Sequence, residues 1–279
     1  MKANKLAGAF LAMGLGLVAM THAGDALADK GGKPKKEAEV VLTEPATTKK
    51  PVALPLAGIS WGMSPKQLGD AVDKILDEDY RPLYQKVQPG VKMKALDAQL
   101  AEDKSQFRRS RIDFGKLPTG IDSTPLKGEY SYQNKEALLT LTRKGETTYF
   151  FLIQERVWKI IVEVKLGETA PLGKVYTEAV VRLSTQYGVP GRVLQPDANR
   201  PSVEVDWKDA TTHVRAIQRS DTALGLAYED LGTLGNLSAL RSVKPVQDDG
   251  IDPDVAAAMR GHTPDAPPPP PKDDKKPKK

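Results

Sequence analysis

No cysteine occurs in the 279 residues of this chain. That absence excludes disulfides, a thiol nucleophile, an iron–sulfur cluster and a thiolate zinc site. It also excludes a lipid anchor on an N-terminal cysteine. Histidine is scarce: of three residues, His22, His213 and His262, none is paired in sequence in a way that builds a His-based metal cluster. Beyond Ala28 no apolar run approaches the roughly 20 residues that a membrane-crossing helix needs. No cofactor, metal site or catalytic residue is assigned from the sequence.

What is present begins at the N-terminus. Lys2 and Lys5 precede an uncharged apolar run, Leu6 to Met20, and Ala26-Leu27-Ala28 offers a small-residue cleavage site before Asp29. This order of charge, apolar run and A-x-A is that of a secretory signal peptide. Residues 1–28 are read as that signal, with export to the periplasm or the exterior and no lipoprotein anchor.

Charge divides unevenly. The net +5 of the chain lies in its ends. Residues 1–28 carry two lysines against one acid, residues 29–53 six against four, and residues 262–279 five against three. The core, 54–261, is balanced at 28 basic and 28 acidic residues. Nucleic-acid binding places a basic footprint on a folded surface, so nucleic acid is not an expected partner. Residues 29–53, rich in Lys, Pro and Thr, are expected to be a disordered leader, and 262–279, with Pro267 to Pro271 followed by lysines, a disordered tail.

Within the core, Ser64-Pro65 with Gln67 three residues after the serine predicts a capped helix start, with Met63 and Leu68 as a hydrophobic staple. Leu68, Ala71, Val72, Ile75 and Leu76 form its apolar stripe. The helix is expected to end near Asp77 to Tyr80, before Pro82. Met93, Leu96, Leu100 and Phe107 suggest a second helix. Strands are expected at Tyr130–Gln133, Leu138–Thr142, Tyr149–Ile153 and Val157–Leu166, with a hairpin turn at Lys144-Gly145. A helix follows over Leu172–Tyr187, stopped by Gly188 and Pro190. Further strands are read at Val203–Trp207, Thr212–Gln218 and Leu224–Tyr228, and a short helix in Leu231–Leu240. Trp158 is placed on one strand face with Ile160, Val162 and Val164. Both Trp158 and Trp207 are expected on the helix-facing side of the sheet.

These elements predict an α+β fold, an antiparallel β-meander sheet with helices packed on one face. Two helix-plus-meander units, 54–168 and 169–261, are one reading of the order. Gly62-Met63-Ser64 opening a helix ahead of a meander resembles small bacterial envelope domains with a helix-on-sheet fold. The resemblance carries no residue roles.

Arg108, Arg109 and Arg111 form the densest basic cluster of the core and are a candidate anion patch. Acidic neighbours Glu102, Asp103 and Asp113 favour a solvated surface there instead. His213 is read as an ordinary strand histidine, and a Ser–His–Asp triad around it is not expected. Asp248 to Asp254 lacks the spacing of a calcium loop, and Leu117 to Gly120 is read as a turn. The expected function is a secreted or periplasmic, non-enzymatic binding or scaffold protein of the cell envelope, partnered by an envelope protein or polymer. The rival is a hydrolase that uses carboxylates alone, with Asp122 and Glu129 as its pair.

Overall fold

The computed structural model describes residues 42–115, 126–198 and 200–243. The signal, residues 29–41 of the leader, Leu117 to Gly120, Asp122, Asp248 to Asp254 and the tail with His262 lie outside them.

In chain order the elements are β1 (Ala46–Thr47), α1 (Pro65–Tyr84), α2 (Val91–Arg109), β2 (Ile112–Asp113), β3 (Glu136–Arg143), β4 (Glu146–Ile153), β5 (Arg156–Lys165), α3 (Tyr176–Tyr187), β6 (Arg192–Leu194), β7 (Glu204–Lys208), β8 (Thr212–Ser220), β9 (Ala223–Asp230), α4 (Leu231–Gly235) and α5 (Leu237–Leu240). The nine strands form one sheet in the order β1-β7-β8-β9-β5-β4-β3-β2, with β6 also on β7. All pairings are antiparallel except that of β1 with β7. The fold is therefore α+β with an antiparallel meander sheet. Two meanders, β3-β4-β5 and β7-β8-β9, each preceded by helix, meet through their last strands, where Ile161 stands opposite Ala227.

The helix starts follow the local chemistry. Ser64 accepts from the Gln67 amide while the Gln67 side chain reaches back to the Ser64 amide, so two orphan N–H groups are satisfied at once. Leu68, Val72 and Leu76 are buried against the sheet. The helix does not stop before Pro82 but runs to Tyr84. Proline deprives the last turns of one backbone bond. Tyr80 and Tyr84 compensate by donating to Asp103 and Asp97 of α2 at 2.6 and 2.8 Å. Arg108–Asp73 and Lys104–Asp77 complete this polar seam between α1 and α2. Gly188 ends α3 in the left-handed conformation, φ 75°. The Lys144-Gly145 turn between β3 and β4 has positive φ at both residues, as the tight hairpin requires.

Tyr130–Gln133 is not a strand. Gln133 and Lys135 adopt positive φ, which breaks an extended run, and between them Asn134 donates to Tyr132 O and Val243 O. The leader is corrected as well. From residue 42 the chain is built into the fold: Ala46 is buried beside β7, and Thr48, Lys49 and Val52 donate their amides to Lys208 O, Tyr187 O and the Asp209 carboxylate. Together β1 and β6 close the outer edge of β7, the second half and the first half respectively.

The sheet carries a core on each face. Helices α1, α2 and α3 cover one, in which Phe107, Phe150, Ile160, Leu183, Trp207 and Leu226 pack together. The other gathers Phe114, Leu126, Leu138, Phe151, Trp158 and Ile161, with Leu234, Leu237 and Leu240 of α4 and α5 against it. Trp207 is on the helix-facing side, as expected, and donates its indole N–H to Val189 O. Trp158 is on the opposite side. The β4–β5 register slips between Phe151 and Leu152, so that Lys159 and Val157 are paired and Trp158 is the extra residue. Such a bulge places two successive side chains on one face, and the alternation read from the sequence fails there.

A chain starting at residue 54 lacks β1 and the amide bonds of Thr48, Lys49 and Val52 to the body. At about 0.5–1.5 kcal/mol for each net hydrogen bond, it should be less stable than a chain starting at residue 42 by about 2 kcal/mol. Denaturant melts of the two compare them directly, and equal midpoints would show that the strap contributes nothing. Trp207→Ala should cost about 3–5 kcal/mol by the same measurement.

Candidate functional site

The second face of the sheet changes character along its length. Toward β3 and β4 it is apolar. Toward β7, β8 and β9 it is charged and still buried. Strand alternation in β7 puts Val205 and Trp207 on the helix side and Glu204 and Asp206 on this one. The same period brings His213 and Arg215 from β8, Glu229 from β9 and Lys159 from β5 to the same face. Glu204, Asp206, His213, Glu229 and Lys159 are all buried. Glu129 arrives from above, on the segment between Leu126 and Glu136, and is buried with them.

These side chains form one ion-paired layer. Arg215 is its centre, bonding Glu204 at 3.1 Å, Glu129 at 2.7 Å and Glu229 at 2.9 Å. Lys159 Nζ bonds Glu129 Oε2 at 2.7 Å and the Glu129 carbonyl at 2.6 Å, and lies 3.5 Å from Glu229 Oε1. His213 sits between two carboxylates, Nδ1 2.9 Å from Glu229 and Nε2 3.1 Å from Asp206. Arg192 of β6 grips Asp206 with two nitrogens, at 3.0 and 2.6 Å. Beside the layer Arg241 pairs with Glu136 and donates to Glu129 O.

Burial alone would neutralise these groups. It pushes the Glu129 carboxyl up, but Lys159 and Arg215 outweigh it and hold the group down at about 2. Burial opposes the charge of Glu229 as well, and Arg215, His213 and Lys159 keep it well below the usual carboxylate range. For Asp206 burial is overcome by His213 and Arg192, and the group is again lowered. Burial works against the imidazolium of His213, yet the bonds to Asp206 and Glu229 raise it above the ordinary histidine value. Four carboxylates thus face Lys159, Arg192, Arg215 and one histidine, and the formal charges balance when His213 carries its proton.

The chemistry open to such a layer is narrow. Glu129, Asp206 and Glu229 are held ionised and have no proton to give at neutral pH. Both imidazole nitrogens are engaged with carboxylates, so neither offers a lone pair to a metal, and three neighbouring cations repel one. Among the described residues no group of His, Asp and Glu is disposed to hold a metal ion.

Glu129, the expected hydrolase acid, is thus placed in the layer. Arg108, Arg109 and Arg111 turn to separate carboxylates: Arg108 to Asp73, Arg109 to Glu102, and Arg111 to Asp113 and Glu155. Gly58-Ile59-Ser60-Trp61-Gly62 carries the G-x-S-x-G spacing of a nucleophile elbow. It is not built as one. Ser60 is exposed on a loop before α1, not at a strand-to-helix turn, while Ile59 and Trp61 pack with the helix-facing core. The imidazole of His213 is on the other face of the sheet.

An open groove of about 500 Å³ runs beside α1, lined by Ala57, Met63, Ala71 and Ile75 among others. Its two acids, Asp70 and Glu78, are exposed and paired with Lys66 and Arg81. The bond from Lys66 holds the Asp70 carboxyl below its ordinary value.

Replacing Arg215 by leucine removes the central cation from three buried carboxylates and should cost about 3–5 kcal/mol, the usual penalty for breaking a buried pair from one side. A denaturant midpoint unchanged from wild type would count against that role. The pH profile of stability follows by linkage. The lowered Glu129, Asp206 and Glu229 contribute above their ordinary values of 4.5, 3.8 and 4.5 and lose that contribution as pH falls through the folded values. His213, being raised, contributes fully below its ordinary 6.5 and loses it as pH rises through its folded value. Stability should therefore be greatest between about pH 4.5 and 6.5. His213→Gln should flatten the alkaline limb of melts taken across pH, and a limb that persists unchanged would assign it to another group.

The chain matches no protein-family model, and no curated protein and no solved structure matches it.

Proposed function

We propose that this chain is an exported, non-enzymatic binding or scaffold protein of the cell envelope. The supporting observation is that the carboxylates of the buried layer and of the groove beside α1 are each answered by a cation. Glycoside-type hydrolysis by carboxylates needs one acid kept protonated near neutral pH and a second kept ionised in the same cleft. Lys159, Arg215 and Lys66 act against the first condition at Glu129 and Asp70. The export half of the proposal rests on Lys2, Lys5, the run Leu6 to Met20 and Ala26-Leu27-Ala28. No helix among the described residues is long and apolar enough to cross a membrane. An anionic polymer binding at Arg108, Arg109 and Arg111 would have to displace Asp73, Glu102, Asp113 and Glu155.

Cell fractionation followed by terminal sequencing tests the address: the protein should leave the cytoplasm and begin at Asp29. Material retained in the cytoplasm and still beginning at Met1 would overturn export. Co-sedimentation of the processed protein with isolated wall sacculi and with envelope membrane vesicles tests binding. The protein should pellet with one of them; recovery in the supernatant from both would overturn the envelope reading. Turnover of a wall or sugar polymer that Glu129→Gln abolishes would move the conclusion to a carboxylate hydrolase.

A further inference from the structure

We propose that residues 126–131 are a pH-governed flap, held on the sheet by the imidazolium of His213 and released when that proton is lost. The charges that face His213 come from every element around it: Glu204, Asp206 and Lys208 from β7, Arg215 from β8, Glu229 from β9, Lys159 from β5, Arg192 from β6 and Glu129 from the flap. Two further pairs at the margin, Lys208–Glu44 and Arg241–Glu136, each balance internally. Asp209, in the β7–β8 turn, is turned to the amides of Val52, Thr211 and Thr212. What remains is Glu129, Glu204, Asp206 and Glu229 against Lys159, Arg192, Arg215 and His213. A neutral imidazole leaves one negative charge uncompensated in a buried layer, and buried charge without a partner is strongly unfavourable.

The layer can relieve that charge in one place. Glu204, Asp206 and Glu229 are carried by β7 and β9, strands with paired neighbours on both sides. Glu129 is carried by the flap, outside any strand. Its side chain is held by Lys159 and Arg215, and both of these also serve Glu229. When His213 becomes neutral, Glu229 loses its bonded imidazolium and draws more strongly on Arg215 and Lys159. The hold on Glu129 weakens, and water solvates it more cheaply than the layer does. Release of Glu129 takes Leu126 out of the second core and uncovers the region of Trp158, over whose ring Lys159 Nζ sits at 4.5 Å. An apolar and aromatic surface is thereby presented on the alkaline side of the transition only.

Amide hydrogen exchange on the mature full-length chain, corrected for the base-catalysed intrinsic rate, tests this. In the wild type the amides of Glu129 and Ser131, which donate to Leu126 O and the Glu136 carboxylate, should exchange slowly at about pH 5.5, then up to about tenfold faster per pH unit above the titration of His213, while β7 and β9 stay protected. Glu129→Gln removes one negative charge and keeps the layer balanced with a neutral imidazole, so these amides should stay slow at both ends of the range. In His213→Gln they should be fast at both ends. Should His213→Gln fail to fold, Glu129→Gln alone decides. Corrected rates that do not change with pH in the wild type would overturn the proposal. So would a wild-type response retained in either variant.

Discussion

Four carboxylates and four basic side chains lie in contact within one layer of the sheet, and the second face is organised by the need to keep them matched. Removing charge from water is costly, and an ion pair recovers that cost only when nearly every oxygen and nitrogen finds a partner. Arg215 meets the requirement by bonding three carboxylates from three different parts of the chain. Its bonds tie β8 to β7, to β9 and to the segment that bears Glu129. Without a cysteine anywhere, covalent cross-links cannot supply this long-range connection. The layer fixes register as well: a one-residue slip of β8 would turn His213 and Arg215 to the helix side and bring Val214 among the carboxylates. Register is thus tied to the charges, although an apolar layer of equal volume is often at least as stable.

The edges of the sheet follow a related constraint. An unpaired edge invites association with another chain. On β7 the edge is shared by two short strands: β6 brings Arg192 to Asp206, and β1 lays the leader along Trp207 and Lys208. Gly191 is required where the chain turns into β6, because a Cβ there would fall 2.4 Å from Val205 and 2.6 Å from Trp207. The covering of this edge and the burial of Trp207 are thus one arrangement. At the opposite edge β2 is only two residues long, and the Ser110 hydroxyl accepts the Thr140 amide beyond it.

Much of the scaffold was legible in the sequence because local chemistry and tertiary structure agree there. Ser64 with Gln67, the Leu68–Val72–Leu76 stripe, the Lys144-Gly145 turn and Gly188 all act within a few residues of themselves. Where distant residues decide, the reading failed. Pro82 stays in a helix because Tyr80 and Tyr84 reach α2. Leader residues 42–53 have an unremarkable polar composition, and their partners are more than a hundred positions away. Glu204, Asp206 and Lys208 alternate with Val203, Val205 and Trp207 in the pattern of a half-buried strand, and nothing local distinguishes a charge facing water from one facing Arg215. A signal existed all the same: Asp206 lies opposite Arg215 and His213 opposite Glu229, and opposite charges that align across neighbouring strands mark a paired face. Reading it requires the register, which the sequence does not display.

The failure at Trp158 has the same origin as the layer itself. In a regular strand that keeps Ile160 toward the helices, Trp158 would also face them and Lys159 would stand alone on the other side. The bulge sets Trp158 beside Lys159 instead, with Val157 turned back to the helix-facing core. Two consequences follow from that single extra residue. The ring of Trp158 extends the apolar cluster up to the boundary of the ionic layer, and the Lys159 ammonium rests over it at 4.5 Å, with the Arg241 guanidinium at 5.4 Å. A cation so placed is attracted by the ring face, so the apolar and charged halves of the surface join through contact rather than through a gap. The indole N–H of Trp158 meets no acceptor among the described residues, although the residue is almost fully buried. Moving that ring to the helix side would undo the junction between the two halves.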